Sequence, residues 1–174
     1  MRRPCSEILV RMASSVFAAP TNLPTVGTAF QVAIGDVDGD GRLDLVSTMY
    51  SAGLLSVYRN QGGNLSFDQR VDFSAGPAPY GLALADLDGD GRVEVVVGNT
   101  AGGGTISVFQ NRSVSGQITT NSFAARVAFA AGSPFTVAIG DLDGDGKPDV
   151  AANHTGSATV GIVSVFRNTV SQPP

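Results

Sequence analysis

Three stretches of this chain are near copies of one another, and that self-similarity limits the possible folds more than any bulk property does. They read FQVAIGDVDGDGRLDLV from Phe30 to Val46, YGLALADLDGDGRVEVV from Tyr80 to Val96, and FTVAIGDLDGDGKPDVA from Phe135 to Ala151. Their leading aspartates, Asp36, Asp86 and Asp141, stand 50 and then 55 residues apart. A second shared piece follows each copy: SVYRN at 56–60, SVFQN at 107–111 and SVFRN at 164–168. A third precedes it. FDQRVDFSAG (67–76) matches FAARVAFAAG (123–132), and FAAPTNLPTVG (17–27) is a looser copy, one residue longer.

Each unit therefore offers four short pieces rich in Val, Ile, Leu and Phe, parted by Gly, Asn and Asp turns: an outer strand, an inner strand, a second and a third. No stretch places apolar residues at helical spacing. With 22 glycines and only 15% charged residues, the composition suits many strands and tight turns. Four antiparallel strands in one such repeat make one propeller blade. The expected fold is all-β: three four-stranded antiparallel propeller repeats over about 17–66, 67–122 and 123–168. The extra length between Asn111 and Phe123 reads as a polar hairpin loop, and Gly102–Gly104 as a turn. Residues 1–16 read as a disordered leader and 169–174 as a tail. The leader starts basic and ends in small residues, but Glu7 and Arg11 break its apolar part, so it is a poor signal peptide.

Charge is placed unevenly. Of 15 acidic residues, 12 fall in three clusters at 36–44, 86–94 and 141–149. Four carboxylates in nine residues repel unless a cation sits among them. In each cluster the acids occupy positions 1, 3, 5 and 9, with Gly at 4 and 6. The sets are Asp36, Asp38, Asp40, Asp44; Asp86, Asp88, Asp90, Glu94; and Asp141, Asp143, Asp145, Asp149. Alternate carboxylates on a tightly turning loop aim their oxygens at one centre, which suits the six to eight oxygens that calcium takes. Gly41, Gly91 and Gly146 permit the turn. Arg42, Arg92 and Lys147 at position 7 are expected to offer backbone carbonyls while their side chains leave for solvent. Oxygen-only chemistry disfavours zinc and copper, and magnesium prefers to keep its waters. About three Ca²⁺ per chain are expected, which would turn the net charge of −4 to about +2.

An EF-hand needs a Glu at position 12 and flanking helices. Position 12 is Ser47, Val97 and Ala152 here, and the flanks read as strands. GGxGxD nonapeptides are also absent. The inner-strand FxVAIGD piece, the DxDGDGxxD loop and the SVFxN strand together resemble FG-GAP/VCBS-type repeats, as in integrin α-subunit heads, over about 17–168. The resemblance implies a β-propeller with calcium in the hairpin loop between the first and second strands of a blade. The implied ligands are positions 1, 3, 5 and 9 plus the carbonyl of 7, with Glu94 in place of the usual Asp. It also implies an extracellular or cell-surface setting and a ring that is usually seven-bladed.

Three blades cannot close a ring, and an open set leaves apolar blade faces bare. Self-association is the expected resolution: two chains giving six blades, the segment at 17–27 completing the third blade of another chain. A fragment of a larger protein, or a different partner, are the other resolutions. The expected role is a binding or adhesion module for a protein or glycan. A non-catalytic propeller fragment of a larger secreted enzyme and a purely structural scaffold are the alternatives. No GxSxG, phosphate loop or nucleophile–base pair occurs, and the only histidine, His154, reads as an exposed turn residue, so no enzyme is expected. Cys5 is the sole cysteine, which leaves no internal disulfide. No apolar run is long enough to span a bilayer, and the 11 basic residues are too dispersed for a nucleic-acid surface. The recurring aromatics (Phe30, Phe109, Phe123, Phe135, Phe166, Tyr58 and Tyr80 among them) read as packing between blades. Tyr50 has no counterpart and is a surface-contact candidate, whereas Arg59 and Arg167 read as caps of strand ends.

Overall fold

A computed structural model describes residues 18–155 and 160–171, so the leader at 1–16, Cys5 within it, and residues 172–174 of the tail lie outside the described residues. Apart from a 3-10 turn at Tyr50–Ala52, the described regular structure is all strand. The strands are β1 (Ala29–Gly35), β2 (Asp44–Met49), β3 (Leu54–Tyr58), β4 (Asn60–Gly62), β5 (Ser66–Phe67), β6 (Val71–Ser74), β7 (Pro79–Ala85), β8 (Glu94–Asn99), β9 (Thr105–Phe109), β10 (Val127–Ala130), β11 (Pro134–Gly140), β12 (Asp149–Thr155) and β13 (Gly161–Phe166). They form three antiparallel sheets in the orders β1-β2-β3-β6, β7-β8-β9-β10 and β11-β12-β13, plus a β4–β5 ribbon. These are propeller-type blades. Two carry the expected four strands, and the third has three among the described residues. No helix among them is long and apolar enough to cross a membrane.

Sheets and sequence units run one strand out of phase. The outer pieces of the second and third units pair with the third strand of the unit before, Leu55 opposite Phe73 and Ile106 opposite Phe129. The chain then crosses to the next blade through a short link in which Gly76 and Ala78 take φ of 114° and 52°. The looser copy at 17–27 forms no strand over its described residues, 18–27. Pro20 and Pro24 remove two ladder donors there. The segment instead lies on the first blade, where the Pro24 carbonyl accepts the Tyr58 hydroxyl at 2.8 Å and Thr28 N donates to Ser51 Oγ at 2.9 Å.

The core lies between blades. Val46, Leu55 and Val57 of the first meet Leu82, Val95, Val97 and Phe109 of the second. Val96 and Ile106 of the second meet Val137, Val150 and Ala152 of the third. Strand alternation makes this possible: Val95 and Val97 face one neighbour and Val96 the other. Burying each such side chain contributes about 1.5–3 kcal/mol. Phe73 and Phe123 pack edge to face at 4.9 Å. The inner strands β7 and β11 approach so closely that a Cβ on Gly81 would stand 3.0 Å from the Phe135 carbonyl oxygen. Aromatic burial is uneven: Phe109 and Phe123 are core, but Phe30 and Phe135 stay largely exposed. His154 is no turn residue. It stands half-buried in β12, its Nε2 2.9 Å from Ser164 Oγ.

Candidate metal centres

Each acidic cluster is the hairpin loop between the first two strands of a blade. Position 9 is the first residue of the second strand, and positions 1 to 8 turn in between. Both loop glycines take left-handed φ, 68° and 84° at Gly39 and Gly41, with similar values in the other two loops. A Cβ is strained in that region.

The loops are preorganised by their own backbone. Position 1 accepts the N–H of position 6 at 2.9 Å in all three loops: Gly41 to Asp36, Gly91 to Asp86 and Gly146 to Asp141. Position 3 accepts the N–H of position 5, at 3.1 Å in the first loop. Position 5 accepts that of position 7, at 2.9 Å. Such bonds use one lone pair per oxygen and leave further acceptor capacity on each carboxylate. Carboxylate oxygens of Asp36, Asp38 and Asp40 converge to within 4.8 Å of one another. Those of Asp86, Asp88 and Asp90 do the same, as do those of Asp141, Asp143 and Asp149. Hard oxygens at this spacing fit a calcium-sized ion.

Position 9 is the deepest member. Asp44, Glu94 and Asp149 are buried, and each accepts two backbone N–H groups: one from position 2 of its loop and one from the residue closing the third strand. For Asp44 these are Val37 N at 3.0 Å and Asn60 N at 2.8 Å. Glu94 takes Leu87 N at 2.8 Å and Asn111 N at 3.3 Å, so its longer arm reaches the same two donors. Asp149 takes Leu142 N at 3.0 Å and Asn168 N at 2.8 Å. Burial pushes the Asp44 and Glu94 carboxyls upward, beyond what their N–H bonds offset. In Asp149 the Asn168 and Leu142 N–H groups outweigh burial and the carboxyl goes down.

The position-7 side chains of Arg42 and Arg92 stand about half exposed, 48% and 47%, yet each position-7 side chain turns toward the carboxylate at position 5. Arg42 folds back onto Asp40 at 2.9 Å, Arg92 pairs with Asp90, and Lys147 lies 3.9 Å from Asp145. Arg59 and Arg167 do not simply cap strand ends. Arg59 bridges Asp38 and Asp40, at 2.6 Å each, and Arg167 bridges Asp143 and Asp145. Gln110 holds that place in the second blade, 3.3 Å from Asp88, so the second loop has least cationic compensation. Fixed charge thus meets part of the repulsion that the sequence assigns to metal alone.

Two features escape the sequence reading. Ser113 and Ser115, in the loop at 111–123, donate to the carbonyls of Val37 and Gly39 at 2.8 and 2.9 Å. That insertion therefore packs on the first acidic loop. The asparagine ending each SVxxN piece also has an unexpected role. Asn111 Nδ2 donates to Val93 O of its own blade's loop and to Val37 O of the preceding one. Asn168 does the same with Pro148 O and Leu87 O. An amide recurring at one strand end was the available signal. Tyr50 packs beside Phe30 and Tyr80 at 4.7 and 6.4 Å, well away from the loops along β1.

The model of a family described as FG-GAP-like repeat matches residues 36–97 and again 90–152. Each match runs from one acidic loop into or through the next. No curated protein matches the chain.

Proposed function

The chain belongs to the FG-GAP-like repeat family, which matches it over most of its length, and from that premise we propose that it is a calcium-stabilised propeller module serving protein or glycan binding. One observation carries the calcium reading: in each of three equivalent hairpins, oxygens of three carboxylates lie within 4.8 Å of one another. The proposed ligands are Asp36, Asp38, Asp40 and Asp44; Asp86, Asp88, Asp90 and Glu94; and Asp141, Asp143, Asp145 and Asp149. The carbonyls of Arg42, Arg92 and Lys147 complete the sets.

The ion's role is structural. It would tie the start of β2, β8 or β12 to the turn before it and neutralise charge that Arg59, Arg167 and the position-7 side chains meet only in part. Extracellular calcium modules work with Kd on the order of 10⁻⁴–10⁻³ M. Sites of that strength fill outside cells, which agrees with the extracellular or surface setting typical of this family. The module is non-catalytic in this reading. Its ligand is a protein or glycan, and its open blade ends are closed by a second copy.

Isothermal titration calorimetry with Ca²⁺ and Mg²⁺ tests the metal, the expected result being about three calcium ions per chain and much weaker magnesium. No calcium uptake at millimolar concentration would sink it. Screening the calcium-loaded chain on a glycan array, and as bait for surface proteins, tests the binding role.

A further inference from the structure

We infer that the two open ends of the blade stack are the two halves of one interface, so that a second copy of this chain docks head to tail and repeats a contact already made twice within the chain. The inference rests on the self-association proposed above and supplies its surface. The contact within the chain has three parts. The first is the asparagine clasp: Asn111 takes the Val37 carbonyl at 2.8 Å, and Asn168 takes the Leu87 carbonyl at 2.8 Å. The second is burial of the side chain at loop position 2, Val37 or Leu87, beneath the next blade. In the third, an inner-strand apolar side chain is seated on the blade before it. Leu84 lies over Gly35, 2.8 Å from where a Cβ would stand.

Every part recurs, unpaired, at the ends. Asn60 is held as the other two are: Nδ2 donates to Leu43 O at 2.9 Å, and Oδ1 accepts Gly62 N at 2.8 Å. The matching Oδ1 bonds of Asn111 and Asn168 are 2.9 and 3.0 Å. The second amide hydrogen of Asn60 finds no acceptor among the described residues. At the other end, the Leu142 carbonyl accepts nothing among them, and the Leu142 side chain is 61% exposed where Val37 is 1%. Ile34, the counterpart of Leu84, is 62% exposed. Gly140, the counterpart of Gly35, faces open space. Val163 and Val165 are bare where their counterparts Leu55 and Val57 are fully buried. One aromatic per inner strand makes a ladder, Phe30 to Tyr80 at 4.5 Å and Tyr80 to Phe135 at 5.6 Å, and its exposed rungs are the two end ones.

If the second copy repeats this step, the equivalent positions bring its Asn60 to the Leu142 carbonyl and its Ile34 to Gly140. Its Val32 and Leu43 fall on the side where Leu142, Val163 and Val165 are bare. The faces differ from each other, so the contact is heterologous: it closes a ring if the rotation allows and otherwise propagates.

Sedimentation velocity of the full chain in calcium, over a concentration series, tests this. Ile34→Glu and Val165→Glu each spoil one face at a site exposed in the single chain, and circular dichroism and melting check that both fold. The wild-type chain is expected to associate with rising concentration. Each variant alone stays monomeric, and an equimolar mixture of the two gives a dimer through the one intact pair of faces. Asn60→Ala weakens association by about tenfold, the worth of one hydrogen bond. A wild-type chain that stays monomeric at every concentration overturns the inference. So does either variant associating by itself, or a mixture that stays monomeric while the wild type associates. Calcium titration of the Ile34→Glu chain separates this from the metal reading. Uptake by that monomeric chain, with the wild type failing to associate, removes only the docking, and association of the wild type with no uptake by that chain removes only the metal.

Discussion

Asn111→Ala removes the clasp between the first two blades, and its cost follows from the bonds it breaks. Asn111 is fully buried. Its Nδ2 donates to Val37 O at 2.8 Å and Val93 O at 2.9 Å, and its Oδ1 accepts Ser113 N at 2.9 Å. Alanine keeps only the backbone N–H bond to Glu94. Val37 O retains the Ser113 hydroxyl at 2.8 Å, but Val93 O and Ser113 N lose their partners. Two inter-strand bonds at about 1 kcal/mol each, plus about 1–3 kcal/mol for stranding an acceptor away from water, give a loss of about 3–5 kcal/mol. For a chain of this size that lowers Tm by roughly 6–20 °C. Asn60→Ala is the internal control: the same residue type at the same strand end, but with no preceding blade, so its cost is about 1 kcal/mol. Urea denaturation of both variants in calcium, at a protein concentration too low for association, measures the difference. Equal costs within about 0.5 kcal/mol, the spread of ordinary surface substitutions, would refute the clasp as an inter-blade element.

Leu55→Ala should cost about 2–5 kcal/mol by opening a cavity between the first two blades, whereas Val163→Ala, on the bare face, stays within about 0.5 kcal/mol in the monomer; chemical denaturation compares them. Arg59→Gln deletes the bridge to Asp38 and Asp40, leaving more repulsion for metal to relieve. The rise in Tm on adding calcium should therefore be larger than in the wild-type chain, and an unchanged rise would mean that the guanidinium and the ion do not share those oxygens. Acid should narrow the gap between calcium-loaded and metal-free chains. A carboxyl raised in the folded state, as in Asp44 and Glu94, stabilises the fold in its protonated form. That contribution is present at low pH and lost as pH rises through the folded pKa, while calcium needs the ionised form. Asp149, lowered by its two N–H bonds, runs the other way and contributes above its unfolded pKa. Melting curves with and without calcium from neutral pH down to the carboxylate range follow the gap, and a constant gap contradicts the ligand set.

Much of this was legible because a repeat states the same physics three times. DxDGDG at 36–41, 86–91 and 141–146 marks the hairpin loop, and the Val-rich pieces on either side can only be strands. What the repeat does not state is partnership between units. The pieces at 67–76 and 123–132 read as openings of their units, yet in space they close the preceding sheets, because an edge beside Leu55 or Ile106 takes whichever strand returns to it. The copy at 17–27 shares apolar spacing but carries Pro20 and Pro24, whose missing N–H groups outweigh the pattern. Asn60, Asn111 and Asn168 stood in the quoted SVxxN piece, but a polar residue after a strand reads as a turn until the neighbouring blade's carbonyl is seen beside it. The ion pairs of Arg42, Arg59 and Arg167 are hidden in the sequence for a related reason. Long cationic side chains next to four carboxylates are drawn back onto them, a matter of distance in space and not of position along the chain.

The account depends most on calcium among the acidic hairpins, and thermal melting in excess calcium against excess EDTA tests that most directly. One site held at a hundred times its Kd adds about 2.7 kcal/mol, so three sites should raise Tm by well over about 5 °C, with EDTA reversing the rise. Superimposable curves, at calcium on the order of 10 mM, would contradict it by showing that Arg59, Arg167 and the loop backbone alone hold these carboxylates in place.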